Sequence, residues 1–257
     1  MTQARLWRLR IVRTEPAPFG TAACRMIGVG DDGLVYILKR VQDGALVPVS
    51  EYVCTRMAAA IGLAVPTCEI AELPGEEHEL CFASREEYGA MTQRDAAALL
   101  LNAQQLRPFA DKLMQWYAFD LFAANVDRHV GNFLIRHSMV GAVMLGMDFS
   151  HALLTQGWPR TLPPMGPCNT TAVQRTLSRV VPYPAEDAAR VMNRLAEAPA
   201  DWLDECLRTV PAGWINDKLR ADVCRWWRHG RQRRLRLLRS HLTNGRYLQL
   251  FPHSRRA

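Results

Sequence analysis

The spacing of apolar residues changes near Ser84, and this change restricts the chain to a few fold classes. Before Ser84, short apolar stretches alternate with turn residues such as Asp31-Asp32-Gly33, a pattern typical of β-hairpins. The elements predicted for this part are strands over 5–13, 23–29, 34–39, 67–73 and 79–84, with a single helix over 49–61.

After Ser84 the apolar residues recur at helical spacing, and only 133–136 and 143–147 resemble strands. The predicted helices are 95–104, 108–125, 186–196, 201–207, 214–227 and 231–242. We therefore expect an α+β, bilobal fold, in which a small β-rich N-lobe with one helix precedes a larger helical C-lobe. The N-lobe is assigned to 1–84 and the C-lobe to 85–257, with a hinge near 81–86.

Composition excludes several classes of protein. With 257 residues, 49% hydrophobic and 22% charged, the chain is long enough to bury a core and is unlike a disordered one. No apolar run reaches the roughly 18 residues of a transmembrane segment, and arginines interrupt the N-terminus where a secretory signal needs an apolar core. Seven cysteines without a Cys-x-x-Cys pair predict neither a disulfide framework nor a zinc site. A soluble, cytoplasmic protein is expected.

One segment combines the groups that phosphoryl transfer needs. A predicted helix ends in a polar turn that contains Asp127 and Asn132, and a second strand ends at Asp148-Phe149-Ser150. Phosphoryl transfer uses an aspartate to orient and deprotonate the attacking hydroxyl, and an amide and a second carboxylate to hold magnesium. The five-residue separation of Asp127 and Asn132 is the protein-kinase spacing of catalytic Asp and metal-binding Asn. We predict Asp127 as the catalytic residue and Asn132 and Asp148 as metal ligands; taken singly, each residue also suits a turn or a strand end.

The motif Asp127-Arg128-His129-x-x-Asn132, followed by a pair of apolar strands and Asp148-Phe149-Ser150, resembles that of the HipA-like kinases and of phosphatidylinositol kinases. The resemblance covers most of the chain and is to a compact HipA-related form without the extra N-terminal subdomain of full-length HipA toxins. It implies a kinase-like fold, ATP and Mg²⁺ as cofactors, and a serine or threonine of a protein as acceptor. Ser150 replaces the usual glycine of Asp-Phe-Gly, which puts a large flip of this segment in doubt.

Lys39 closes an apolar strand, and Glu51 follows twelve residues later on the predicted helix. In kinases a lysine of this kind contacts the nucleotide phosphates and is held by a helix glutamate, so both residues are predicted to bind ATP. Lysine occurs only three times among 32 basic residues, which makes each occurrence informative. The structural alternative is a lysine at an edge strand and a glutamate at a helix start.

Two further positions are assigned to the nucleotide site by their place in the chain. Gly20 and Thr21 lie between the first two strands, where small residues let backbone amides approach phosphate; an ordinary hairpin turn is the alternative. Phe82 and Ser84 lie where the pattern changes, and we assign them to a hinge whose backbone contacts adenine.

Positive charge is concentrated at the end of the chain. The net charge is +7, and residues 219–257 contain eleven arginines against Asp222 alone. An apolar stripe of Leu235, Leu238 and Leu242 favours a packed helix with a solvated basic face. The alternative is a surface for nucleic acid or an anionic membrane, and with it go the alternative functions of a phosphatidylinositol-type lipid kinase or a catalytically silent nucleic-acid or protein-binding module.

Overall fold

A computed structural model describes residues 8–21, 24–75, 78–139, 141–181 and 184–243. The first part of the chain forms a closed five-stranded barrel in the order β1-β2-β3-β5-β4, in which only the β1-β4 pair is parallel. Its strands are β1 Leu9–Thr21, β2 Cys24–Gly30, β3 Val35–Lys39, β4 Cys68–Glu72 and β5 Leu80–Arg85.

The strands of the barrel follow from the turn residues and the short apolar stretches of the sequence. Gly33 has φ +76°, a conformation that favours glycine, and it closes the turn between β2 and β3. Alternate residues of the strands, among them Leu9, Ile11, Tyr36 and Leu38, are buried in one apolar cluster inside the barrel. Closure into a barrel, rather than an open sheet, was not predicted.

Helix α1, Val47–Ala60, crosses between the barrel and the rest of the molecule and is buried along almost its whole length. Pro48 lies in its first turn, where the missing amide proton costs no helical hydrogen bond. At the other end, Arg194 donates to the carbonyl oxygen of Ile61 at 2.6 Å. The helix is therefore fixed at its C-terminal end, and it carries Glu51 into the interior.

The remainder of the chain is helical around a two-stranded sheet of β6 Phe133–Ser138 and β7 Gly141–Gly146. The helices are α2 Gln93–Leu100, α3 Ala103–Leu106, α4 Ala110–Phe122, α5 Asn169–Ser178, α6 Ala185–Glu197, α7 Trp202–Arg208, α8 Asp217–His229 and α9 Arg231–Thr243. Helix α4 is central: Trp116, Phe119 and Phe122 are almost fully buried. The predicted α+β class is confirmed.

Several predicted boundaries were wrong for local reasons. The helix predicted over 95–104 is broken, because the Asn102 side chain accepts from the amides of Gln104 and Gln105 and begins a new helix. Likewise the side chain of Asn216 caps α8, so that helix begins at Asp217 and not at Trp214. Helix α5 was not predicted.

Helix α9 packs as its leucine stripe predicts. Leu235, Leu238 and Leu242 are each at most 1% exposed, whereas Arg233 and Arg236 face solvent. In the part of the chain that the structure describes, no helix has the length and apolarity to span a bilayer.

The buried stripe predicts an asymmetric response to truncation. Leu238→Ala should lower the free energy of unfolding by about 2 to 5 kcal/mol, because it opens a cavity in the core. Leu237→Ala, the matched control, removes the same atoms from a side chain that is 42% exposed and should cost far less. Denaturant unfolding of both variants measures the difference, and equal losses would contradict the packing described for α9.

Candidate active site

Lys39 joins the barrel to the hairpin β6-β7. Its ammonium group donates to Glu51 of α1, to Asp148 Oδ1 at 2.8 Å and to Ser150 Oγ at 2.8 Å. Glu51 Oε1 also accepts from the backbone amide of Phe149 at 2.9 Å. Lys39 and Glu51 are almost fully buried, whereas the Asp148 side chain is 26% exposed. The group is therefore held firmly, with one carboxylate reaching solvent.

The ammonium group of Lys39 and the carboxylate of Asp148 each stabilise the charged form of the other. Burial opposes a charge on Lys39, but the attraction of Glu51 and Asp148 outweighs it and raises the pKa of Lys39 above its ordinary value. Burial also opposes the charge of Asp148, but Lys39 and the hydrogen bonds from Lys39 and Ser150 lower the pKa of Asp148 below its usual range. Both groups are therefore ionised at neutral pH.

Ser150 takes part in the same network. Its hydroxyl accepts from Lys39 and donates to Glu51 Oε1 at 2.9 Å, and its backbone amide donates to Asp148 Oδ1 at 3.3 Å. Asp148 itself has φ +58°, a conformation that a non-glycine residue adopts only when its surroundings impose it. The serine in place of the kinase glycine thus adds bonds that hold the segment in this conformation.

A second buried ion pair supports the loop that carries Asp127. Asp120 of α4 accepts both Arg128 Nε, at 2.9 Å, and Arg128 Nη2, at 3.0 Å, in a bidentate pair. Asp120 also accepts from the side-chain amide of Asn125 at 2.8 Å. The carboxylate is fully buried, so these protein donors provide the hydrogen bonds that water would otherwise provide.

Arg128 connects the two segments that carry the predicted metal ligands. Its Nη1 donates to the backbone carbonyls of Asn132, at 3.0 Å, and of Met147. The guanidinium carbon lies 5.0 to 5.3 Å from the ring centroids of three aromatic residues, Trp116, Phe133 and Phe149. The Arg128 side chain therefore holds the loop that contains Asn132 and the strand end that precedes Asp148 at a fixed position relative to each other.

The β6-β7 register brings Asn132 next to Met147, the residue that precedes Asp148. Phe133 pairs with Gly146, and Met147 N donates to Asn132 O at 3.1 Å. The Asn132 side-chain nitrogen donates to the backbone carbonyl of Asp127 at 2.9 Å, so its Oδ1 is available as a ligand. A carboxylate and an amide oxygen are hard donors of the kind that Mg²⁺ takes, usually together with water and phosphate oxygens. The two residues therefore fit the metal that the motif implies.

The comparison with protein families agrees with this geometry. A model of the HipA-like kinases matches residues 20–155, which include Lys39, Glu51, Asp127, Asn132 and Asp148. The chain belongs to the HipA-like kinase family. No curated protein sequence matches it.

Two solved structures are similar in fold. The Helicobacter pylori proinflammatory kinase CtkA has a TM-score of 0.58 at 13% identity, over 91% of this chain and 98% of that one. The Shewanella oneidensis toxin–antitoxin complex of HipA, HipB and operator DNA has a TM-score of 0.51 at 11% identity. In that case the match covers 84% of this chain and 61% of the other. At these identities the likeness shows the kinase-like fold.

The other predicted nucleotide-binding residues lie in the barrel. Phe82 is buried in β5 and pairs in register with Lys39, and Ser84 is half-buried in the same strand. Both are therefore strand residues, one to three positions before the strand ends at Arg85. Gly20 and Thr21 form the end of β1, and positions 22 and 23 between β1 and β2 lie outside the described residues. The nucleotide contacts of these four residues remain predictions.

Two residues of the site were not identified from the sequence. Asp120 is separated from Arg128 by the end of α4, and its complete burial becomes visible only in the fold. Asn169, whose amide contacts Asp127, belongs to the unpredicted helix α5. An acidic residue within the otherwise apolar stretch 116–122 at the end of α4 was the one available signal for Asp120.

The buried pair predicts a large effect on stability. Arg128→Met should lower the free energy of unfolding by about 3 to 5 kcal/mol, because Asp120 is left as an uncompensated buried charge. The matched control Arg13→Met breaks a pair with Glu15 in which both side chains are exposed, and it should cost less than about 1 kcal/mol.

A double variant separates lost charge from lost packing. Asp120→Leu combined with Arg128→Met should recover part of the loss, since no unpaired charge remains. Denaturant unfolding provides all of these values. If Arg128→Met were as mild as Arg13→Met, the support of the loop by Arg128 would be contradicted.

Proposed function

We propose that the chain is an ATP- and magnesium-dependent serine/threonine protein kinase. The observation that carries the proposal is the ion-pair group of Lys39, Glu51 and Asp148, next to a loop that presents Asp127 and Asn132. We further propose a bilobal arrangement, with residues 1–84 as the N-lobe and 85–257 as the C-lobe. The hinge would lie near 81–86.

The proposed roles follow from the position of each group. Asp148 and Asn132 would hold Mg²⁺ through their oxygens, and Lys39 would place a positive charge next to the nucleotide phosphates. The bound Mg²⁺–ATP supplies an activated phosphoryl group with its charge partly neutralised. Glu51 and Ser150 keep Lys39 in place, and Phe82, Ser84, Gly20 and Thr21 are proposed to contact the nucleotide.

Asp127 is proposed as the base. Its carboxylate is half-buried at the surface of the loop, and it would take the proton of the acceptor hydroxyl. The hydroxyl oxygen then forms the new bond to the γ-phosphorus, while the bond to the β,γ-bridging oxygen breaks and ADP leaves. In this proposal Asp148 binds the metal and Asp127 accepts the proton.

A protein acceptor is favoured by the family and by the way the basic helix α9 is used. The buried arginines Arg231 and Arg234 donate to backbone carbonyls, and Arg239 donates to the Asn193 side chain at 2.8 Å. Much of the positive charge of this helix therefore stabilises the fold. A phosphatidylinositol acceptor is the alternative that the assay below includes.

Asp127→Asn should lower phosphoryl transfer by about 10²-fold to 10⁴-fold, because the amide cannot accept the hydroxyl proton. The fold should be retained, since the Asp127 side chain is half-exposed. Asp111→Asn makes the same change on an exposed part of α4 and should leave transfer unchanged.

The measurement is transfer of label from [γ-³²P]ATP to a peptide library with serine, threonine or tyrosine acceptors, and separately to phosphatidylinositol vesicles. Label on serine or threonine peptides supports the proposal. Label confined to lipid favours the lipid kinase, and full activity of folded Asp127→Asn rejects Asp127 as the base.

Lys39→Arg should lower turnover by about 10²-fold although it keeps the charge. A planar guanidinium does not fit the compact position between Glu51, Asp148 and Ser150. Lys112→Arg is the matched control, because Lys112 is exposed on α4. Steady-state kinetics with ATP measures both variants, and near-normal turnover of Lys39→Arg would return Lys39 to a structural role.

A further inference from the structure

Helix α5 begins beside the proposed base. The side-chain nitrogen of Asn169, its first residue, donates to Asp127 Oδ1 at 2.5 Å. Asn169 is solvent-exposed, so burial does not require this bond to form. It is also the only hydrogen bond that the Asn169 side chain makes within the described ranges. The contact therefore needs an explanation other than the packing of the core.

The helix start does not need the Asn169 side chain. The residue before it, Cys168, caps α5: its backbone amide donates to Thr171 Oγ1 at 3.1 Å, and its carbonyl accepts from the amide of Ala172 at 2.9 Å. Asparagine is also a weak helix former inside a helix. An asparagine at this position is therefore explained neither by capping nor by helix propensity.

The next residue holds the backbone of the same loop. Thr170 is buried; its hydroxyl donates to the carbonyl of Asn125 at 2.7 Å and accepts from the amide of Arg128 at 3.0 Å. The backbone on both sides of Asp127 is thus anchored to α5. Asn169 extends this anchoring to the carboxylate, which neither Thr170 nor Arg128 contacts.

We infer that Asn169 is a positioning residue for the proposed base. By occupying Oδ1, its amide leaves Oδ2 of Asp127 to accept the proton of the acceptor hydroxyl. Among the described residues Oδ2 has no hydrogen-bond donor, so this bond sets the rotation of the carboxylate. The inference rests on the proposed function, and it concerns a residue beyond the range 20–155 that the family model matches.

The kinetic test is Asn169→Ala in the full-length chain. It should lower kcat by about tenfold, the loss expected when one hydrogen bond to a charged group is removed, while KM for ATP stays within about twofold. Asn169→Gln retains an amide donor and should recover part of kcat. Unchanged kcat in Asn169→Ala, or an equal loss in Asn169→Gln, would overturn the inference.

Asn102→Ala is the matched control. Asn102 is also an exposed asparagine at a helix start, but its side chain caps α3. This variant should lower the thermal unfolding midpoint and leave kcat unchanged. Asn169→Ala, in contrast, should lower kcat and leave the unfolding midpoint unchanged. A fall in the unfolding midpoint of Asn169→Ala as large as that of Asn102→Ala would indicate a structural role and overturn the inference.

A second measurement does not depend on activity. In NMR spectra, the side-chain amide protons of Asn169 should exchange with water more slowly than those of Asn102, and Asp127→Ala should remove the difference. If exchange is equally fast in the wild type, the inference fails even when the kinase is active. If exchange is slow but Asp127→Asn is fully active, the contact stands and the proposed role of Asp127 as the base fails.

Discussion

The buried ion pair between Arg128 and Asp120 is the interaction on which the rest of the site depends. The guanidinium pairs with Asp120 inside the helical core, lies among three aromatic rings, and binds the carbonyls of Asn132 and Met147. Each of these contacts satisfies a polar group that burial would otherwise penalise. The loop and the hairpin end thereby keep a fixed separation, which is the condition for two oxygen ligands to share one metal ion.

The same use of arginine recurs across the helical part of the chain. Four guanidinium groups donate to the carbonyls at helix C-terminal ends, where backbone acceptors are unpaired and the helix dipole favours a cation. These are Arg194 at α1, Arg220 at α7, Arg231 at α6 and Arg234 at α4. Burial lowers the pKa of Arg234 to about 10, so it stays charged at neutral pH. The excess of arginine therefore serves the internal architecture as well as the surface.

The sequence allowed prediction of those site residues that lie close together along the chain. Lys39 and Glu51 are twelve residues apart on a strand and the next helix, and Asp127 and Asn132 share one loop, so the kinase spacing of each pair could be recognised in the sequence. The contact between Lys39 and Asp148 joins residues 109 positions apart, and it was not predicted. Asn169 was missed because its helix is short, has little apolar periodicity and follows a segment rich in proline and glycine.

The presence of a lysine at position 39, in a chain with only three lysines, has a structural explanation. Three oxygens, from Glu51, Asp148 and Ser150, surround one nitrogen, an arrangement that suits the three donors of an ammonium group and not a planar fork. The hydroxyl of Ser150, which stands where kinases usually have glycine, supplies one of these oxygens. Asp148, with its left-handed backbone, receives bonds from both residues. A glycine at 150 would remove one acceptor from Lys39 and one donor to Glu51, and would free the segment that carries Asp148, the proposed metal ligand.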